Sequence, residues 1–236
     1  EQYYEEARQT PSLQHLAGTD ELGRDIFSRI LYGGRVSLTI GIISVGIGLL
    51  CGGSLGVLAA YYGGLAETAI MRIIDILMAI PSIILSISIC AALGSGIVNT
   101  MIAVGISSIP TYARVFRSAV ISEKSKEYIE ASKAVGAGNA RIILRHILPN
   151  SLAPVIVQAS LGVAQAITTA ASLSFIGLGI QPPNPEWGAL LSGGRQYIRD
   201  YPHMVVYPGI AIMLTVLALN LIGDGLRDAL DPRLKR

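Results

Sequence analysis

The chain is short of charge. Only 14% of its 236 residues are Asp, Glu, Lys or Arg, little more than half the roughly 25% of an ordinary soluble domain. Cysteine is scarce as well, and two in the whole chain exclude a disulfide framework. The three histidines, His15, His146 and His203, are scattered, and none stands at metal-ligand spacing from a Cys or a carboxylate. No G-x-x-x-x-G-K-[ST] run occurs, so the chain carries no phosphate-cradling loop, and any ATP that drives it must sit on another subunit. An excess of basic charge is missing too. With 18 Lys+Arg against 16 Asp+Glu, there is no stripe to spare for nucleic acid. What is plentiful excludes disorder: 51% of residues are hydrophobic and the net charge is only +2.

The few charges are also unevenly placed. Residues 76–113 hold none in 38 positions, residues 146–185 none in 40, and residues 201–223 none in 23. A bilayer core about 30 Å thick needs roughly 20 apolar helical residues, so each stretch is long enough for a span. The sequence predicts an all-α integral membrane protein with five transmembrane helices. These run over Val36–Ala60, about Ala69–Leu93, Ile97 to about Val120, Leu152 to about Ile176, and about Val205–Ile222, with Gly94-Ser95-Gly96 separating the second from the third. Pro81 and Pro110 are expected as kinks within spans, since neighbouring helices or water can satisfy the freed carbonyls.

Residues 114–145 differ in kind, with ten charges in 32 positions, seven of them basic. Cytoplasmic loops carry excess Lys and Arg, which puts this loop inside. Two spans further on, Arg227, Arg233, Lys235 and Arg236 fall on the same side, an internal agreement. The first 35 residues then form an external segment, despite Arg8, Arg24, Arg29 and Arg35 among six acidic neighbours. The Pro/Gly-rich segment 177–203 is an external loop by the same count, and residues 36–236 make up the transmembrane domain. Glu1 to Gln14 is polar and lacks the apolar core of a signal peptide. A chain that begins outside with neither signal nor preceding span points to a missing earlier membrane helix.

Within the spans, chemistry is sparse. Gly52-Gly53-Ser54-Leu55-Gly56 matches the G-x-S-x-G nucleophile pattern in form, but that motif needs a strand-to-helix turn and a His base. Inside an apolar helix, with Gly41, Gly46 and Gly48 nearby, it reads instead as a small-residue face for close helix packing. Asp75 is the one acid deep in an apolar run, with Arg72 one turn before it. Two readings stay open: a self-neutralising i,i+3 pair near a helix end, and an intramembrane polar pair with a substrate or gating role. Asn220 and Asp224 pose the same choice. Cys51 and Cys90 read as small buried hydrophobes.

The loop is more informative. Residues 125–135 predict a short helix capped by Ser122 or Ser125. Gly136-Ala137-Gly138 stops it, and Asn139 is placed to cap a second short helix that ends before Pro149. Such a helix–Gly turn–helix is too polar to insert in a membrane. It suits either an interfacial helix pair on lipid headgroups or a docking element for a soluble partner.

At this loop, Glu130-Ala131-Ser132, then Gly136 and Leu148-Pro149, resemble the EAA loop of binding-protein-dependent ABC importer permeases. The family pattern is E-A-A, three residues, G, nine residues, I-x-L-P, and the spacing here fits without a gap, with Ser132 replacing Ala and His146 replacing Ile. His146-Ile147-Leu148-Pro149-Asn150 is similar to the peptide/nickel branch. Gly18-Thr19-Asp20-Glu21-Leu22-Gly23-Arg24-Asp25, Ser174-Phe175-Ile176-Gly177-Leu178-Gly179, Pro185-Glu186-Trp187-Gly188 and the run Gly223 to Pro232 extend the likeness. Together they resemble the C-type permease subunit of dipeptide and oligopeptide importers over about residues 15–236. The family's first membrane helix has no counterpart.

The resemblance implies a multi-pass subunit of a bacterial or archaeal plasma (inner) membrane. Its expected partners are a homologous B-type permease, two cytoplasmic ATPases and an external solute-binding protein, within the lipid bilayer. It implies no catalytic residue, cofactor or metal in this chain, ATP being bound by the ATPases. Loop 122–149 would be the coupling element, with Glu130, Ala131, Ser132, Gly136, Leu148 and Pro149 as its site residues. The substrate expected is a short peptide, carried along a weakly selective pathway whose specificity rests with the binding protein. The alternative within the branch is nickel or a metal chelate, for which the chain offers no Cys/His ligand cluster. A secondary transporter or channel acting alone would want ion-coupling carboxylates in several spans, and only Asp75 and Asp224 are candidates. An intramembrane hydrolase fails for want of a His or an Asp pair in the spans.

Overall fold

A computed structural model of the chain describes residues 4–230. Its first long helix, α1 (Ile26–Tyr62), is capped by Asp25, whose carboxylate accepts from the Ser28 amide at 2.7 Å. At 1.5 Å per residue its 37 residues extend about 55 Å, well beyond a bilayer core of about 30 Å. Gly63, at φ +67, ends it. Then come α2 (Gly64–Met78), α3 (Ser82–Leu93) and α4 (Ile97–Lys124). The loop contains α5 (Glu127–Ala134), α6 (Asn139–Arg141), a π-helical stretch (Ile142–Ile147) and α7 (Leu148–Asn150). Two more long helices, α8 (Leu152–Phe175) and α10 (His203–Leu230), flank the short α9 (Trp187–Gly194). Among the described residues the only β pairing is one isolated bridge, Thr19 to Asp25. The tail residues Arg233, Lys235 and Arg236, and the Asp231-Pro232 end of the last motif, lie outside the described residues.

α1, α8 and α10 are long and apolar enough to cross a membrane, and the α2–α3 pair makes up to four if counted as one span. α4, the expected third span, is long enough but less apolar. Asn99, Thr100, Ser107, Ser108 and Thr111 interrupt it, and it packs along α1 rather than standing apart. At Pro81 the expected kink is a break: α2 and α3 meet at 86°. Proline lacks the N–H the ladder needs and steers the residue before it out of the α region. Pro110, by contrast, sits inside an unbroken α4.

The α1–α4 seam confirms the small-residue reading of the first span. Gly52 lies against the Ile109 carbonyl, Gly53 against the Phe116 ring and Gly56 against the Ala113 carbonyl, so a β-carbon at any of them would collide. The two helices approach at backbone distance. Cys90 is buried as expected, but Cys51 faces outward from α1. Outer positions of α10 such as Met213, Leu217 and Leu221 are half exposed or more, an apolar surface suited to lipid or a membrane partner.

Segment 177–203 is more than a loop. Glu186, fully buried, caps α9 by accepting from the Ala189 amide at 2.9 Å. Trp187 donates from its indole Nε1 to the Ile30 carbonyl at 2.9 Å, and its ring lies against Gly34 of α1 while the Pro185 carbonyl lies against Gly33. The first two turns of α9 are thereby wedged among α1, α8 and α10. The N-terminal segment closes the same end: Asp20 accepts from the Leu22 and Arg24 amides and pairs with the Arg24 guanidinium at 2.6 Å.

Candidate functional site

The loop lies at the other end of α1. α5 starts from Lys126 in an extended conformation with no side-chain cap. Of the two expected caps, the Ser125 hydroxyl instead donates to the Ser122 carbonyl, and Ser122 lies within α4. α5 stops as the sequence predicts. Gly136 takes φ +81, its amide donates to the Lys133 carbonyl at 2.9 Å, and the Ala137 amide donates to the Ser132 carbonyl at 3.1 Å. That pair of bonds is a Schellman motif, which needs a left-handed residue at this position. Gly138 rather than Asn139 caps α6. Asn139 instead accepts from the Tyr61 hydroxyl at 2.8 Å, tying the loop to the end of α1. The second helix also runs through Pro149 instead of ending before it, because the π stretch resets the register and places Pro149 in the first turn of α7, where no N–H is required.

The inner face of this loop is rigidly seated. Ile129, Ile142 and Ile147 are fully buried in one cluster with Val57, Ala60 and Tyr61 of α1, Phe116 and Val120 of α4, and Val155 of α8. Ile142 and Ile147 are five apart, and in an α-helix of 3.6 residues per turn they would point roughly 140° apart. The wider π turn, with its i→i+5 bonds, brings both onto one face. Polar contacts reinforce the seat. Buried Glu123 accepts from Lys126 Nζ at 2.5 Å and from the Tyr128 hydroxyl at 2.7 Å. The hydrogen bond to Glu123 pushes the Lys126 amine up from its ordinary pKa. Partial burial, then the Glu123 carboxylate, push the Tyr128 phenol up. Lys124 Nζ donates to the Ala60 and Tyr61 carbonyls at 3.1 and 2.6 Å, placing a cation on the last turn of α1.

The outer face is free. Glu127, Glu130, Ala131, Lys133 and Val135 are exposed, Val135 at 84%. Glu130 has no hydrogen-bond partner among the described residues, so it is presented outward rather than fixing its own helix. Ser132 is half-buried, with its hydroxyl on the Tyr128 carbonyl at 2.8 Å. Leu148 packs against the same buried cluster that holds Ile129, and Pro149 is exposed at the far end of the loop.

Arg72 and Asp75 do not pair. Asp75 Oδ1 receives Arg114 Nη2 at 2.7 Å, both side chains being about half exposed, and Glu67 pairs with Arg117. Arg114 and Arg117, one turn apart on α4, thus face two carboxylates of α2, while Arg72 points away. These bonds rivet α2 to α4 between helices rather than neutralising charge within one.

A second feature lies among the spans: a cavity of about 360 Å³ between α4, α8 and α10, reached also by Val45 of α1 and Ser82 of α3. Its wall on α8 comprises Gln158, Leu161, Gly162, Gln165, Ala166 and Thr169, one continuous helical face. α4 contributes Ser107, Ser108, Thr111 and Tyr112, and α10 contributes Asn220. No lining residue is charged. Gly162 leaves room for the Tyr112 hydroxyl. The sequence reading singled out Asn220 but missed Gln158 and Gln165. Their seven-residue spacing in an otherwise apolar span was the available signal.

Residues 52–236 match the family model for binding-protein-dependent transport system inner membrane components. The chain is 54% identical over 227 residues to a dipeptide transport system permease protein, DppC, of Alkalihalophilus pseudofirmus, covering 96% of this chain and 75% of that protein. It is 51% identical over 232 residues to the glutathione transport system permease protein GsiD of Pectobacterium atrosepticum, covering 98% and 77%. A di/tripeptide permease of Pseudomonas aeruginosa is 51% identical over 220 residues, covering 93% and 73%. Among solved structures, the MetNI methionine ABC transporter in an inward-facing conformation superposes with a TM-score of 0.72 at 21% identity, over 87% of this chain and 98% of that one. That likeness speaks for the fold alone. With the model matched over most of its length and relatives this similar, the chain belongs to the family of binding-protein-dependent transport system inner membrane components.

Proposed function

We propose that this chain is a permease subunit of an ATP-driven importer of short peptides, and that loop 122–149 is where a cytoplasmic ATPase drives it. The observation that carries the reading is the two-sided build of the loop. Three fully buried isoleucines lock its inner face to α1, α4 and α8, while Glu130, Ala131 and Val135 stand exposed on the other. A rigid body with one face anchored in the spans and one face free transmits a push instead of absorbing it. The names of the relatives, for dipeptides, di/tripeptides and glutathione, support a peptide cargo. ATP is bound and hydrolysed on two partner subunits, a homologous permease completes the pathway, and an external binding protein delivers the peptide. On this reading the loop end of α1 is cytoplasmic and α9 with the N-terminal segment forms the external end.

The test is reconstitution in lipid vesicles with the partner permease and ATPases, adding the binding protein and Ala-Ala. ATP-dependent accumulation of the dipeptide is expected. Accumulation by this chain alone, or a complex that hydrolyses ATP and moves no peptide, would overturn the reading.

A further inference from the structure

Polar side chains inside a membrane span are costly unless something satisfies them. In the cavity of about 360 Å³, some are satisfied internally. The Ser107 hydroxyl bonds the Val104 carbonyl and accepts from Ser86, Ser108 bonds the Gly105 carbonyl, and Thr169 bonds the Gln165 carbonyl. Gln158, Gln165 and Asn220 are different. They line the cavity from two helices, α8 and α10, Gln165 exposed and the other two half-buried, and their carboxamides have no hydrogen-bond partner among the described residues. The same holds for the hydroxyls of Thr111 and Tyr112 on α4, opposite them. Each carboxamide offers two donors and an acceptor with two lone pairs.

We propose that this cavity is a transmembrane subsite for the peptide backbone, one that grips amide groups and is indifferent to charge. The inference rests on the peptide-importer reading and deepens it. A carboxamide is the side-chain counterpart of a peptide bond, able to donate to its carbonyl and accept from its N–H at once. A wall of carboxamides and hydroxyls therefore suits the one feature that short peptides share. Because none of the lining residues is ionised, neither terminus nor any charged side chain of the cargo finds an ion pair or a like charge there. The volume falls within the roughly 300–1,000 Å³ of small-molecule sites, enough for a dipeptide or tripeptide. Such a site binds weakly and broadly, as a pathway must if its cargo is to leave.

The experiment uses the reconstituted complex and three dipeptides that differ in net charge: Ala-Glu, Ala-Ala and Ala-Lys. Replacing Gln158, Gln165 and Asn220 together by Leu is expected to lower uptake of all three alike, by at least about tenfold, since each lost hydrogen bond is worth a few-fold. Gln165→Glu alone keeps the size and adds a charge, so it is expected to raise the Ala-Lys to Ala-Glu uptake ratio above that of the parent. That charge selectivity is a readout that a packing defect would not produce. If the triple variant matches the parent, or if Gln165→Glu leaves the ratio of the three peptides unchanged, the cavity is not the subsite. If the parent complex takes up none of the three, the importer reading itself falls and the subsite with it.

Discussion

Gly136 gives the coupling argument its sharpest test, because its environment isolates one physical term. The residue sits at φ +81, and no atom lies within 4 Å of where a β-carbon would stand. A substitution there meets no neighbour, so its cost is backbone strain alone, about 1–2 kcal/mol for an ordinary L-residue in the left-handed region. Such a change lowers the ratio of native turn to its alternatives by a factor of roughly 5–30. Gly138, two residues on, also stands in open space but at φ −68, which any residue adopts without strain. Gly136→Ala is therefore expected to cut peptide-stimulated ATP hydrolysis in the assembled complex several-fold, Gly136→Val further, and Gly136→Asn least, because Asn tolerates this region. Gly138→Ala should behave as the parent. All four variants should insert and assemble, since neither glycine touches a span. If Gly136→Ala and Gly138→Ala are indistinguishable, the turn's geometry does not carry the coupling.

Further expectations follow from the anchors and caps. Ile147→Ala, in a fully buried site, should destabilise the loop by about 3 kcal/mol, inside the 2–5 kcal/mol range for such truncations, and strip its amides of hydrogen-exchange protection; Val135→Ala should change little. A double-mutant cycle by thermal unfolding in detergent should couple Asp75 to Arg114 by a few tenths to about 1 kcal/mol, as for half-exposed pairs, and find no coupling of Asp75 to Arg72. Burial pushes the Asp25 carboxyl up, but hydrogen bonds from Ser28 and His15 outweigh it and hold the group below its ordinary 3.8. Its cap, worth about 1 kcal/mol, is thus present above that pH and lost as pH falls through the lowered value, so the stability gap between the parent and Asp25→Ala should close there. Single cysteines at Ser125 and Ser192, in a chain lacking Cys51 and Cys90, should react with impermeant label from opposite faces of the membrane.

What the sequence made legible was whatever depends on local pattern. Uncharged runs located the helices, because burial in lipid is read residue by residue along one helix. Gly136 announced the loop turn, because a left-handed stop has a strong residue preference. What escaped was set by contacts distant in sequence. Arg72 looked like the partner of Asp75 at one-turn spacing, and only the approach of α4 reveals Arg114, 39 residues away, as the nearer cation. Asn139 has the chemistry of a helix cap, but Tyr61, 78 residues earlier, claims its carboxamide and Gly138 takes the capping position. The π turn is invisible to a 3.6-residue period, since Ile142 and Ile147 fall out of phase on it. Segment 177–203 looked like surface because it is rich in Pro and Gly. It is instead packed inward, with the Pro185 carbonyl against Gly33 and the Trp187 ring against Gly34.

These long-range contacts share one feature: most of them end on α1. Its last turn holds Lys124 through two carbonyls and Asn139 through the Tyr61 hydroxyl. Its middle contributes Val45 to the cavity wall. Its first turns hold Trp187 at the Ile30 carbonyl, and Ser37 donates to buried Glu186 at 3.4 Å. α1 runs as one unbroken helix of 37 residues without an internal proline. Displacing the loop therefore loads α1 along its length, and α4 with it across their seam. That seam is made of Gly48, Gly52, Gly53 and Gly56, which receive the α4 backbone at Ile109 and Ala113 and the rings of Tyr112 and Phe116. The glycine face that resembled a hydrolase motif in the sequence is then what keys α1 to α4 at backbone distance, with the Ser44 hydroxyl on the Met101 carbonyl at 3.1 Å and the cavity wall beside it.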